Sequence, residues 1–307
     1  MKAWIEAARP RTLPLSLSGI ILGGLLAKWK GDLNGIIFVL SCSTTILFQV
    51  LSNFANDYGD GIKGTDNEHR IGPQRAIQSG AISHKTMFTG IIITTILSLI
   101  SAIALLWYSF IPGNWNDFFI FIGLGIASIL AALFYTMGKK PYGYMGLGDL
   151  FVFIFFGWVA VLGSEYLYTR TLDWSTLLPA SAVGLFSVAV LNLNNMRDIE
   201  SDRMSGKYTF ALRIGFQNAK YYQLFLMNMP FILCLVFLLI KKETISIQLE
   251  NLESLKPFIF FILFIPTTII RRKILYTKEP QKLDLYMKPV AFIALLFSVL
   301  FGMGLSL

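Results

Sequence analysis

The sequence predicts an all-α integral membrane protein, folded as a single bundle of nine transmembrane helices. Three observations lead there. Windows of about 20 residues almost free of charge recur along the chain, and each is long enough to cross a hydrocarbon core of ~30 Å. Charged residues make up only 14% of the 307 positions and hydrophobic ones 55%, whereas a soluble domain carries about a quarter charged. The basic residues lie between the apolar runs, where topology determinants belong. The net charge of +8 is therefore no nucleic-acid signal.

The spans are expected at 13–29, 36–57, 86–110, 117–138, 147–169, 176–197, 221–240, 256–273 and 288–306. The first follows Arg9 and Arg11 and has the outline of a signal peptide, but the charge alternation argues for a retained helix. If the N-terminus is cytoplasmic, 20 of the 26 Lys and Arg residues fall in inside segments and 6 in outside ones. This bias orients the protein as multi-pass in the cytoplasmic membrane, with its long polar loops inside and its C-terminus outside. Spans two and six then run in the same direction, four spans apart. This spacing reads as a parallel repeat of four-helix units, about 13–138 and 147–273, with a ninth helix added. Cys42 and Cys234 fall inside apolar runs and read as small core residues, so no disulfide is expected.

Two polar clusters end spans two and six. The first runs from Asn53 to Asp66 and the second from Asn192 to Asp202. On a helix Asn53, Asp57 and Asp60 share one face, as do Asn194, Asp198 and Asp202, with Asn195 beside them. A carboxylate at membrane depth costs roughly 2.5–3.5 kcal/mol on insertion scales, so several on one face call for a cation among them. Hard oxygen ligands of this kind select Mg²⁺ or Ca²⁺. Mg²⁺ takes one or two protein carboxylates and completes its shell with water and phosphate oxygens. Two such clusters facing each other suit a diphosphate bridged by Mg²⁺. The plain alternative is solvation of helix ends at the membrane interface, which leaves the matched pairing unexplained.

Basic residues near the clusters fit a diphosphate: Lys139, Lys207, Arg70, Arg75 and Lys63, with the amide of Asn56. Lys140, Arg197 and Arg203 read more simply as topology signals. His69 and His84 are too isolated for a metal site. Gly146-Leu147-Gly148 lacks the strand–turn–helix context of a dinucleotide fingerprint.

Asn56-Asp57-Tyr58-Gly59-Asp60 and Asp198-Ile199-Glu200-Ser201-Asp202 resemble the paired N-D-x-x-D and D-x-x-x-D motifs of the UbiA-type intramembrane aromatic prenyltransferases. Tyr135-Thr136-Met137-Gly138-Lys139 matches that family's Y-x-x-x-K signature. The resemblance covers nearly the whole chain and is strongest to the branch acting on 1,4-dihydroxy-2-naphthoate. Ala8-Arg9-Pro10-Arg11-Thr12-Leu13-Pro14 and Gly146-Leu147-Gly148-Asp149 support that branch. In place of a third Asp seen in many members stands Gly64, with Asp66 two residues later.

The resemblance implies nine transmembrane helices and transfer of a polyprenyl group from its diphosphate to an aromatic acid in the bilayer. Asp57, Asp60, Asp198 and Asp202 would be catalytic, with Lys139. Asn53 and Asp66 would join the four aspartates around Mg²⁺. Arg9, Arg11, Tyr135 and Asn195 would meet the aromatic substrate. Two alternatives stay open. One is a relative with another acceptor, such as 4-hydroxybenzoate, homogentisate or a tetrapyrrole. The other is an ion-coupled transporter, which places its acidic residues near the bilayer midplane.

Overall fold

A computed structural model describes residues 1–65, 72, 74–245 and 252–307. Among these there is helix but no strand. The chain opens with a short helix, α1 (Lys2–Ala8). Arg9 follows in the left-handed region at φ 50° and turns it into a 3₁₀ segment, Pro10–Thr12. The long helices come next: α2 (Leu13–Trp29), α3 (Gly35–Ile62), α4 (His84–Phe110) and α5 (Trp115–Phe134). Then come α6 (Gly148–Thr169) and α7 (Leu177–Arg197). The short α8 (Ile199–Met204) and α9 (Phe210–Ile214) precede α10 (Phe216–Ile240), α11 (Phe264–Tyr276) and α12 (Asp284–Ser306).

The sequence marks several helix starts. Asn34 accepts from the amides of Ile36 and Ile37 at the head of α3, Ser83 from Thr86 at α4, and Asn114 from Asp117 at α5. These side chains satisfy amides that have no partner inside the helix.

Eight helices among the described residues are long and apolar enough to cross a membrane, as befits a multi-pass membrane protein. The expected span at 256–273 is not one of them. It is split between a 3₁₀ stretch, Leu252–Leu263, and the 13-residue α11. Pro257 and Pro266 lie within this region, and neither has an amide hydrogen to continue an α-helical ladder. A ninth continuous span is therefore not found among the described residues.

The helices divide into core and rim. The membrane window of α7 is 67% buried and that of α5 only 11%. Helices α2, α7, α10 and α12 meet around an aromatic core in which Phe231 and Phe260 each lie edge-to-face with Phe297 at 5.2 Å. The rim helices α3 and α4 pack along each other, as do α2 with α6 and with α12.

One glycine decides how closely α3 meets the end of α5. A Cβ at Gly59 would lie 2.4 Å from Thr136 Oγ1 and 2.8 Å from its carbonyl carbon. Bare backbone at Gly59 lets α3 touch the segment after α5, and Thr136 Oγ1 donates to Ala55 O at 3.0 Å. Gly59→Ala is expected to destabilise the protein by about 1–3 kcal/mol through overpacking. A thermal melt of the purified variant, with the midpoint unmoved, would show that the contact yields freely.

Candidate active site

The last three turns of α3 carry Asn53, Asp57 and Asp60, all buried. Asn53 is buried there with its bonds completed by other residues. Asn53 Nδ2 donates to Ala8 O at 2.8 Å, and its Oδ1 accepts from Gln49 at 3.3 Å. Its amide thus holds the N-terminal segment against α3 rather than presenting oxygen to a metal.

The second cluster is not one helical face. Helix α7 ends at Arg197, and Asp198 stands at the junction with α8, its backbone out of the helical region. The Asp202 amide still donates to Asp198 O at 2.8 Å, so the two carboxylates remain a turn apart. Gly206, with positive φ, reverses the chain, and the Lys207 amide returns to Asp202 O at 2.8 Å.

This reversal puts one lysine between the two clusters. Lys207 Nζ lies 3.8 Å from Asp60 Oδ2 and 3.9 Å from Asp202 Oδ1. Burial alone would pull its ammonium down, but Asp60 and Asp202 outweigh that and hold it above the usual lysine range. Tyr144 donates to Asp60 Oδ1 at 2.7 Å. Burial, then the Asp60 charge, push its phenol up, so Tyr144 acts as a neutral donor. Lys63 and Lys207 stand 5.5 and 5.4 Å from the centre of its ring.

The outer aspartates have their own arginines. Asp57 Oδ1 takes an ion pair from Arg9, and Arg75 Nε lies 3.6 Å away. Asp57 Oδ2 is buried with no hydrogen-bond partner among the described residues. Asp198 is gripped by Arg197, Nε to Oδ1 at 2.8 Å and Nη2 to Oδ2 at 2.5 Å. Arg197 is 0% exposed. It also reaches Asp284 Oδ1 at 2.5 Å and Asn194 Oδ1 at 2.9 Å. Gly72 lies flat against its guanidinium, where a Cβ would come within 2.7 Å.

A cavity of about 420 Å³ opens beside these groups. Arg9, Arg11, Asn53, Asn56, Asp60, Arg75, Tyr135, Asp198, Asp202 and Lys207 line its polar end. Leu105, Leu106, Phe121, Phe151, Phe155 and Leu167 line its apolar depth. Along α3 the lining runs from Asp60 to Ser41, which at 1.5 Å per residue is roughly 28 Å.

The structure does not gather every candidate here. Asp57 is buried behind Arg9 and does not line the cavity. Lys139 is exposed and lies outside it. Lys63 donates to Gly138 O at 2.8 Å and stands outside as well. Asn195 is buried away from the cavity, and its neighbour Asn194 lines it instead. Asp66 and Arg70 lie outside the described residues.

Three participants escaped the sequence reading. Arg197 looked like a topology residue. Tyr144 and Asp284 stand alone in loops or at a helix start, and no motif or spacing marks them.

Among the described residues no three of His, Cys, Asp and Glu approach closely enough to make a metal centre alone. What exists is two carboxylates, Asp60 and Asp202, facing each other across one cation. That donor set, with the unpartnered buried Oδ2 of Asp57, fits Mg²⁺, which needs only one or two protein carboxylates when phosphate oxygens complete its shell.

The fold and sequence have known counterparts. A structure of a UbiA homolog from Archaeoglobus fulgidus bound to GPP and Mg²⁺ shares the architecture over 99% of both chains, with a TM-score of 0.66 at 17% identity. The chain is 42% identical to the 1,4-dihydroxy-2-naphthoate octaprenyltransferase of Haemophilus influenzae, over 99% of this chain and 96% of that protein. It is 41% identical to the enzyme of the same name from Escherichia coli, over 100% and 96%. The model of the UbiA prenyltransferase family matches residues 17–296. Paired aspartate clusters at the mouth of a greasy intramembrane cavity and this nearly full-length likeness agree: the chain belongs to the UbiA prenyltransferase family.

Proposed function

We propose that the protein transfers a polyprenyl group from polyprenyl diphosphate to 1,4-dihydroxy-2-naphthoate. Diphosphate and CO₂ leave, and the product is the prenylated naphthoquinol, the reduced form of demethylmenaquinone. The observation that carries this reading is Lys207 held between Asp60 and Asp202 at the polar end of an apolar cavity. The likeness to two naphthoate octaprenyltransferases over nearly the whole chain supports the choice of acceptor.

Each part of the site has a task in that reaction. Asp60 and Asp202 would hold Mg²⁺, with Asp198 beside them and Asp57 behind. Bound there, Mg²⁺ supplies Lewis-acid charge neutralisation on the diphosphate. Lys207 and Arg75 add positive charge whose attraction for the diphosphate strengthens as the C–O bond breaks and the diphosphate departs with the electron pair. Tyr144 keeps Asp60 aimed. The prenyl chain lies along the apolar depth, and at its allylic end the aromatic faces of Tyr135 and Phe151 stabilise an allylic cation and exclude water from it. The ring carbon bearing the carboxylate bonds to the allylic carbon, and loss of CO₂ returns the bonding pair to the ring.

The positive-inside bias supports a cytoplasmic mouth for the cavity, where a soluble aromatic acid and diphosphate can exchange. The acidic residues stand at helix ends rather than at mid-span, which favours this reading over an ion-coupled transporter.

The test is turnover by the purified protein in lipid with Mg²⁺ and a polyprenyl diphosphate. Dihydroxynaphthoate or 4-hydroxybenzoate is supplied in parallel, and product is detected by mass. Prenylated naphthoquinol with release of CO₂ is the expected result. Product from 4-hydroxybenzoate alone would keep the chemistry and move the acceptor. Chelation with EDTA is expected to abolish turnover and added Mg²⁺ to restore it; full activity in EDTA would eliminate the metal-held diphosphate.

A further inference from the structure

A second cavity lies on the outside of the bundle, away from the aspartate clusters. It is a groove of about 580 Å³ between the short helix α1 and the first half of α4. The Trp4 ring lies against Gly90, where a Cβ would come within 2.7 Å of it. The same ring meets Phe54 edge-to-face at 5.2 Å. Trp4 thus forms one wall of the groove and α4 the other. Ile93 and Leu97 on the α4 wall are 53% and 46% exposed. Because α4 is a membrane span, the groove faces lipid and not the protein interior.

Polarity changes along the groove in one direction. Lys85, Thr86 and Thr89 line the end where α4 begins, and Ile93, Thr94 and Leu97 line the rest. Thr94 Oγ1 donates to Gly90 O of its own helix, so its hydroxyl is already satisfied. From Lys85 to Leu97 the lining covers about 18 Å at 1.5 Å per residue, close to half of a ~30 Å hydrocarbon core. Lys85 is exposed and makes no ion pair among the described residues. Glu6, the acidic residue of α1, does not line the groove. An ammonium where a span leaves the lipid, above an apolar slot one leaflet long, matches an anionic glycerophospholipid. Its phosphate belongs at one end and its acyl chain at the other. A zwitterionic headgroup also offers a phosphate, but it brings its own ammonium to Lys85.

We infer that this groove seats one anionic glycerophospholipid, with its phosphate at Lys85 and one acyl chain laid between Trp4 and α4 toward Leu97. The site supports the active centre without touching the substrates. Helix α1 runs directly into Arg9, which pairs with Asp57, and Asn53 holds Ala8 O at 2.8 Å. A lipid wedged between Trp4 and α4 braces the helix that carries Arg9. The inference needs only a membrane-spanning α4 and stands apart from the choice of aromatic acceptor.

The test uses the full chain in phosphatidylcholine vesicles and two quenching probes. These are phosphatidylglycerol and phosphatidylcholine, each brominated near the glycerol end of an acyl chain. Bromine quenches tryptophan on contact. The Trp4 signal is the difference between the parent and Trp4→Phe, which keeps a ring against Gly90. Brominated phosphatidylglycerol is expected to quench Trp4 at about a fivefold lower mole fraction than brominated phosphatidylcholine, the preference one lysine confers at an anionic interface. Lys85→Gln is expected to bring the two curves together, and Lys85→Arg to keep them apart. Lys85 is exposed, so these variants leave the fold intact. Coincident curves in the parent, a preference that survives Lys85→Gln, or a Trp4 that neither lipid quenches would each overturn the site. Melting gives a second reading that does not depend on Trp4→Phe. Phosphatidylglycerol is expected to raise the midpoint of the parent more than that of Lys85→Gln, because a lipid bound only to the folded state stabilises it. An equal rise in both would count against the site.

Discussion

Asp60→Asn is expected to lower turnover about a thousandfold or more while leaving the protein folded. The reason is the number of tasks this carboxylate performs. It stands at the polar end of the cavity, it is the nearer anion to Lys207, and it accepts from Tyr144. Removing its charge takes away one of the two carboxylates proposed to hold the metal and frees Lys207 from half of its anchoring. Deleting a single preorganised charge or donor at a developing ionic centre commonly costs 10²–10³-fold, and here ligand and anchor go together. Fold is expected to survive because Asn keeps the size and can still accept from Tyr144. The check is kcat with saturating substrates, beside a thermal melt and a size-exclusion profile. Turnover within tenfold of the parent would show that the metal is held elsewhere. The same substitution at Asp57 is expected to act more through Arg9 and the N-terminal segment, since Asp57 does not line the cavity.

The second large effect is on stability. Arg197→Ala removes a fully buried guanidinium from two carboxylates, Asp198 and Asp284. Breaking a buried pair costs about 3–5 kcal/mol, because the remaining charge stays buried without a partner. The guanidinium also ties three pieces of chain at one point: the end of α7, the start of α12 and the loop at Gly72. The expected result is a large fall in the melting temperature and in the yield of monodisperse protein. Arg197→Lys keeps a charge but cannot make the two-pronged contact with Asp198. It is expected to recover less than half of the loss. A melt of Arg197→Ala within about 1 kcal/mol of the parent would show that the site relaxes around an unpaired Asp198, and that Arg197 is the topology residue its sequence position suggested.

Much of this molecule was legible before any coordinates. Lipid crossing depends on the apolarity of about 20 consecutive residues, a local property, so eight spans could be placed from the chain alone. The exception is instructive: the 256–273 segment has the hydropathy of a span, but its two prolines split it between 3₁₀ and α-helix. The acidic clusters were legible for a similar reason, since ionisable residues at the ends of apolar helices are rare and conspicuous.

Pairing was not legible. Asp60 and Asp202 meet only because Gly206 turns Lys207 back between them. Asp198 and Asp284, 86 positions apart, meet only because α7 and α12 pack side by side around Arg197. Lys139 fits a motif by spacing and yet faces outward, while Lys288, with no motif, lines the cavity. Sequence by itself determined which segments enter the bilayer and which residue types stand at their ends, because both follow from the free energy of transferring short stretches into lipid. Only the tertiary structure decided which cation serves which anion, because that depends on helix packing and chain reversals, and a change of one turn hands a carboxylate to a different partner.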